Sequence, residues 1–335
     1  MSSESPWYRP LGLLMAAAGA FLFSSRSILV KLAYGYNVDP VTFLTLRMVF
    51  SLPFFLAVAI WVQRSHGGRG GNGAGSTGST ESGTGNSAAL ARLSGRDIAS
   101  LIGLGLLGYY FASYVDFLAL QYISAALARL ILFVNPTITL IVLALFFARR
   151  IVGREVAAML ACYAGIALCL MHDVRLSGSA ADTALGSALA FLSAFCYALY
   201  LIFSNRLIGR IGSMPFTAYA MTVSSVAVII HFLIANPLSA LRLPWQVYLY
   251  GALMAVLCTV LPVFMVSEAN RRIGPAQVGI LGSIGPIATV VLGMLVLNET
   301  ISVSQVAGMG LVLVGVWFIS QKPKAPQGAP PTTKE

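Results

Sequence analysis

Charge is scarce in this sequence: only 10% of its 335 residues are Asp, Glu, Lys or Arg, against about 25% in an average soluble domain. So few charges cannot coat a water-soluble globule, which excludes a soluble enzyme. Cysteine is sparse too. Cys162, Cys169, Cys196 and Cys258 fall inside apolar runs without CxxC or metal-ligand spacing. They read as small core side chains, with no disulfide frame and no metal site. HExxH, GxSxG and GxxxxGK[ST] are all missing. No metalloprotease, serine hydrolase or ATPase signature is therefore present, and no cofactor is implied. What abounds is apolar: 58% of the residues are hydrophobic and the mean hydropathy is +0.83, which excludes disorder. The net charge of +10, on so apolar a chain, points to basic loops beside a membrane rather than to nucleic acid.

A hydrocarbon core of about 30 Å needs roughly 20 apolar residues in a helix. Ten spans meet that length or nearly so: 11–33, 41–62, 98–119, 122–147, 154–171, 185–207, 214–235, 246–268, 274–297 and 302–320. The expected fold is an all-α polytopic membrane protein. The first span is not a signal peptide, because only Arg9 precedes it and the apolar run continues to Ala33. With the N-terminus in the cytoplasm, 15 Lys and Arg fall in inside segments and 3 (Lys31, Arg175, Arg242) outside. That bias places both termini in the cytoplasm. Trp7, Trp61, Trp245 and Trp317 lie near span ends, where amphipathic rings settle. Residues 64–96 are rich in Gly, Ser and Thr and read as a flexible cytoplasmic loop, either inert or regulatory; 321–335 reads as a cytoplasmic tail.

The chain also repeats itself. At an offset of 150, Ile123, Ala126, Pro136, Thr139, Leu145, Ile151, Val156, Ala157, Met159 and Gly165 recur as Ile273, Ala276, Pro286, Thr289, Leu295, Ile301, Val306, Ala307, Met309 and Gly315. Earlier spans match at an offset near 174–175: Ala20-Phe21 with Ala194-Phe195, and Pro40 and Thr42 with Pro215 and Thr217. The first unit is 1–171 and the second 185–320. Each holds five spans, an odd number, so the second copy crosses the membrane in the opposite sense. Inverted repeats are typical of transporters that alternate access around a midplane site.

The stretch Ser124-Ala-Ala-Leu-Ala-Arg-Leu-Ile-Leu-Phe-Val-Asn-Pro136, and Pro275 to Pro286 followed by Leu297-Asn-Glu299, resemble the two EamA repeats of the drug/metabolite transporter superfamily. The resemblance covers nearly all of the chain outside 64–96 and the termini. It implies ten helices in two inverted five-helix repeats that move small metabolites across the bacterial inner membrane. The sequence departs from the family twice. Ala128 stands where many relatives carry Glu before the arginine, and Arg149 stands in the first repeat where the second has Glu299.

Ionisable residues inside spans are expensive and often functional. Arg26, Arg47 and Arg129 each sit six or seven residues from the outer end of a span, roughly 10 Å deep at 1.5 Å per residue. Asp116 lies slightly shallower and is expected to pair with Arg129. The repeat partners of the arginines are Tyr200, Thr222 and Gly279, all uncharged. One reading is a polar cavity with surplus positive charge, suited to a carboxylate or phosphate. The other is that each arginine snorkels to headgroups or pairs locally. Pro136 and Pro286 are expected to kink their spans near the midplane, beside Asn135 and next to Gly282 and Gly285, either for a binding site or for packing alone. Tyr109, Tyr110, Tyr197 and Tyr200 are further candidates for substrate contact, with packing as the commoner alternative. His231 and Glu268 read as interfacial, His66 and His172 as loop residues.

These observations converge on a secondary transporter, not an enzyme. It would move a small polar metabolite, an amino acid or organic anion, by alternating access; outward direction is what the resemblance implies. The rivals are an integral membrane enzyme acting on lipid or acyl groups and a channel-like facilitator. The partners are the small-molecule substrate and membrane lipids. A homodimer stays open, because the small-residue spacing of Ala161 and Gly165 permits close helix contact within or between chains.

Overall fold

The computed structural model describes residues 8–67, 94–147, 152–177, 179–273, 275–282, 284–299 and 301–320. Most of 64–96 and the tail from 321 lie outside the described residues, as do Arg149 and Arg150. Among the described residues every regular element is helical, as lipid requires of a chain that must satisfy its own backbone. The helices are α1 (Tyr8–Ser24), α2 (Arg26–Tyr34), α3 (Pro40–Gly67), α4 (Gly95–Tyr122), α5 (Ala125–Phe133), α6 (Asn135–Phe147) and α7 (Gly153–Ser177). They continue as α8 (Ala180–Ile211), α9 (Ser213–Ala235), α10 (Trp245–Ile273), α11 (Pro275–Gly282), α12 (Ile284–Leu297) and α13 (Val303–Ser320). Counting α1 with α2 and α5 with α6, eight helices are long and apolar enough to cross a membrane, and two shorter apolar helices, Ile284–Leu297 and Val303–Phe318, follow.

The polarity is inside out. Ile234 and Val303 are 82% and 87% exposed, while Arg26, Arg47 and Asp116 are buried. A water-soluble protein has the reverse, and the chain is a multi-pass membrane protein. Trp61, Trp245 and Trp317 are exposed near helix ends.

Several expectations are corrected. The loop expected over 64–96 is helical at both margins: α3 runs to Gly67 and α4 starts at Gly95. The Ser94 N–H donates to the Asp97 carboxylate, part of a capping box, and Arg210 bonds Asp97 at 2.6 Å, tying the start of α4 to the end of α8. Among the described residues two spans are interrupted. The first bends at Ser25, where the Ser24 and Ser25 hydroxyls donate back to the Ala20 and Phe21 carbonyls, a pattern that bends helices. The fourth breaks at Val134. Pro136 therefore does not kink a continuous helix; it sits in the first turn of the helix after the break, where a missing N–H costs nothing. Pro286 lies near the start of α12, which follows residue 283, a position outside the described residues. Residues 106–111 of α4 and 256–260 of α10 are π-helical, and these two segments are 150 residues apart, the repeat offset. His172 lies within α7, buried, rather than in a loop.

Packing joins one half of the chain to the other. α7 lies against α13, α3 against α9, α1 against α10, α4 against α8, and α5 against α12. α1 also meets α11 and α12, as α8 meets α5 and α6. Taken span by span, exchanging the halves maps this set of pairs onto itself. In the α7–α13 pair the backbones nearly touch: a Cβ on Gly308 would meet the Cys169 Sγ at 2.7 Å, and one on Gly315 the Ala158 carbonyl oxygen at 2.6 Å. Gly165 packs against Gly308, so its small-residue spacing is used within the chain.

Candidate functional site

The bend at Ser25, the break at Val134 and the two π segments border one cavity, and the charged side chains gather there. Arg26, at the start of α2, forms a buried ion pair with Asp116 of α4. This corrects the expected Asp116–Arg129 pair. Arg129, on α5, is turned toward the bend in the first span: its Nη2 donates to the Ser24 hydroxyl at 3.0 Å and its guanidinium lies 4.8 Å from the centre of the Phe23 ring. The Arg26 guanidinium lies 5.5 Å from the same ring. Arg47, on α3, is 3% exposed. Its Nε and Nη1 are buried without a partner among the described residues, as are the Nε atoms of Arg26 and Arg129, the Asp116 Oδ1 and the Asn135 Oδ1. Such orphaned polar groups are rare in folded proteins, and each calls for a partner such as a water or a ligand.

The three arginines and Asn135 line a cavity of about 230 Å³. Its walls include Phe23, Arg26, Arg47, Tyr109, Arg129, Asn135 and Tyr197. The candidate tyrosines divide. Tyr109 and Tyr197 face the cavity, whereas Tyr200 and Tyr110 are not on its wall. Tyr200 stands behind them, donating its hydroxyl to Tyr109 at 3.0 Å and stacking on Phe216. Tyr110 is bonded to His231 Nδ1 at 3.0 Å, which also gives His231 a partner within the bundle. The sequence reading missed Phe23, Ser193, Cys258 and Thr259. Aromatic, small and hydroxyl residues do not stand out in apolar runs, but Thr259 lies in a π segment and donates to the Met254 carbonyl, and π segments recur at functional sites.

A second cavity of about 500 Å³ shares Phe23, Tyr109, Arg129, Phe133 and Tyr197 with the first. It runs past Phe55 and Val58 to Ser213 and Met214, toward the end of the bundle where α8 and α9 connect. At that end Glu268 bonds Arg271 and Arg272 at 2.7 Å each. The opposite end is tied shut by polar contacts. Asp173 accepts from the N–H and hydroxyl of Ser124 at 2.8 and 2.9 Å, and Glu299 accepts from the Ala125 N–H at 3.3 Å. Asn298 adopts φ 54°, and the Glu299 N–H folds back to the Gly293 carbonyl. Asp39 accepts from Thr42 and from Asn236, both at 2.8 Å, joining α3 to the end of α9. Burial holds the Glu299 carboxyl above the usual carboxylate range, against the pull of the Ala125 N–H and Lys31.

The EamA-like transporter family model matches residues 10–171 and again 184–321. The chain belongs to the EamA-like transporter family. Among similar proteins, the uncharacterized transporter YcbK of Bacillus subtilis (strain 168) is 26% identical over 92% of this chain and 91% of its own. The threonine/homoserine exporter RhtA of Escherichia coli (strain K12) is 28% identical over 60% of this chain and 64% of its own. A crystal structure that is 17% identical covers 92% of this chain and 96% of its own with a TM-score of 0.57, a likeness of fold. These EamA relatives are named transporters, so the cavity is the place to look for cargo.

Proposed function

We propose that this EamA-family chain is a secondary carrier for a small polar metabolite, an amino acid or organic anion, working by alternating access and directed outward. The observation that carries the reading is a buried cavity lined by three arginines, continuous with an opening toward one end and closed at the other. A duplicated, inverted architecture of ten spans, 1–171 and 185–320, is supported by the two family matches, by the π segments at the repeat offset and by packing pairs that survive exchange of the halves. Such a fold can open the cavity to either side by rocking its halves about the shared site. With both termini on the cytoplasmic side of a bacterial inner membrane, as the arginine bias favours, the open end faces the cytoplasm, ready to load cargo for export. The name of RhtA, a threonine/homoserine exporter, suggests threonine as one cargo to assay.

The test is counterflow in proteoliposomes, with Arg47→Ala and Arg129→Ala variants that still insert. Both are expected to lose most transport; full activity in both would remove the site. A channel with the same cavity would give flux without saturation or counterflow.

A further inference from the structure

Resting on the carrier reading, we propose that the cavity is built for an organic anion bearing two negative charges, a dicarboxylate or a phosphate monoester, rather than for a zwitterion. The argument begins with charge balance. Among the described residues at the cavity, Arg26 is neutralised by Asp116, and no carboxylate answers Arg47 or Arg129. A guanidinium cannot shed its proton in a protein, and a buried charge without a countercharge is strongly unfavourable. When the cavity is open, water within it screens these charges. When the halves close around the cavity, that water is expelled, and the ligand must bring the missing charge. A zwitterion brings none, a monocarboxylate half of it, and a dianion all of it.

Donor geometry agrees. Arg47 and Arg129 line the cavity, and Arg47 Nε and Nη1 and Arg129 Nε are buried N–H groups without partners among the described residues. Guanidinium groups grip the paired oxygens of a carboxylate or phosphate. The cavity also lacks what an ammonium group needs. Asp116 is engaged by Arg26 and is not among the lining residues. The acceptors at the wall, Asn135 Oδ1 and the hydroxyls of Tyr109, Tyr197 and Thr259, are neutral. An amino acid's ammonium would face three arginines with no carboxylate within the wall. Asn135 Oδ1, unpartnered, suits a hydroxyl on the cargo instead.

The experiment is thermal unfolding of the full chain in phosphatidylcholine nanodiscs, free of anionic lipid. The probes are succinate, glycerol 3-phosphate, butyrate and L-threonine, against sodium chloride at matched ionic strength. Succinate or glycerol 3-phosphate is expected to raise the midpoint saturably, with half-saturation at least about tenfold below that of butyrate, the equivalent of about 1.4 kcal/mol. Threonine is expected to do nothing. The response to succinate against glycerol 3-phosphate separates dicarboxylate from phosphate cargo. Arg47→Met is expected to keep or raise the ligand-free midpoint, because it removes an unpaired buried charge, and to lose the dianion response. Stabilisation by threonine alone, silence to both dianions, or a lowered ligand-free midpoint in Arg47→Met would each overturn the proposal. Counterflow of the stabilising ligand tests the carrier reading separately. Stabilisation by a dianion without its counterflow sinks the carrier and leaves the charge inference standing, while counterflow of threonine alone does the opposite.

Discussion

Arg26, Arg47, Arg129 and Asp116 were legible because an ionisable residue inside an apolar run has no cheap place to go. Their partners were not. Which arginine reaches Asp116 depends on the bend at Ser25, and on Arg129 turning to Ser24 and Phe23; spacing along the chain carries no such information. The pairing leads to a prediction. Asp116→Asn leaves Arg26 unanswered and should cost about 3–5 kcal/mol, whereas Arg26→Met with Asp116→Leu should cost far less or stabilise. Denaturant titration of the purified variants measures both, and equal losses would mean the pair is not isolated in this way. Glu299 offers a second prediction. Its native pKa lies above the ordinary 4.5, so the folded chain holds the proton more tightly than the unfolded one. That contribution to stability is complete below the ordinary value and is lost as pH rises through the native one. Glu299→Gln keeps an acceptor for the Ala125 N–H without the charge. It should match the native chain near pH 4 and exceed it in thermal midpoint at neutral pH; a lower midpoint at neutral pH would show that the charged carboxylate stabilises.

At the scale of elements, hydropathy located the apolar runs within a few residues, since a span needs length and apolarity and little else. It did not reveal where they are interrupted. Ser24-Ser25 is no strong breaker by type, and π segments have no compositional mark; Val134 ends α5 only because Asn135-Pro136 starts a new helix behind it. Pro136 was visible, but its role as a first-turn residue after the break at Val134 was not. The Gly/Ser stretch concealed the margins of α3 and α4; the start of α4 rests on the Ser94–Asp97 cap and the Asp97–Arg210 pair. Close packing of α7 on α13 was only half legible, because small residues show that helices can approach and not which ones do. It gives a controlled prediction. Gly308→Val must displace Cys169 and the Gly165 backbone, at a cost of about 1–3 kcal/mol or more. Gly310→Val, whose Cβ would meet nothing within 4 Å, should be neutral. Comparing the two thermal midpoints checks it, and equal values would contradict the packing described.

At the scale of the molecule, the cavity is reached from one end and sealed at the other by contacts that join the two halves: Glu299 to Ala125 and Asp39 to Asn236. That asymmetry, in a chain whose internal packing is nearly symmetric under exchange of its halves, is what a carrier paused in one of two equivalent states would have. The most direct test is sided labelling of Ser113→Cys, a cavity position, in a chain otherwise free of cysteine. The protein is placed in oriented vesicles and treated with an impermeant, anionic thiol reagent. The account predicts that the empty carrier reacts only from the side that carries its termini, and that saturating succinate slows the reaction. Equal labelling from both sides at once, or labelling only from the opposite side, would contradict it.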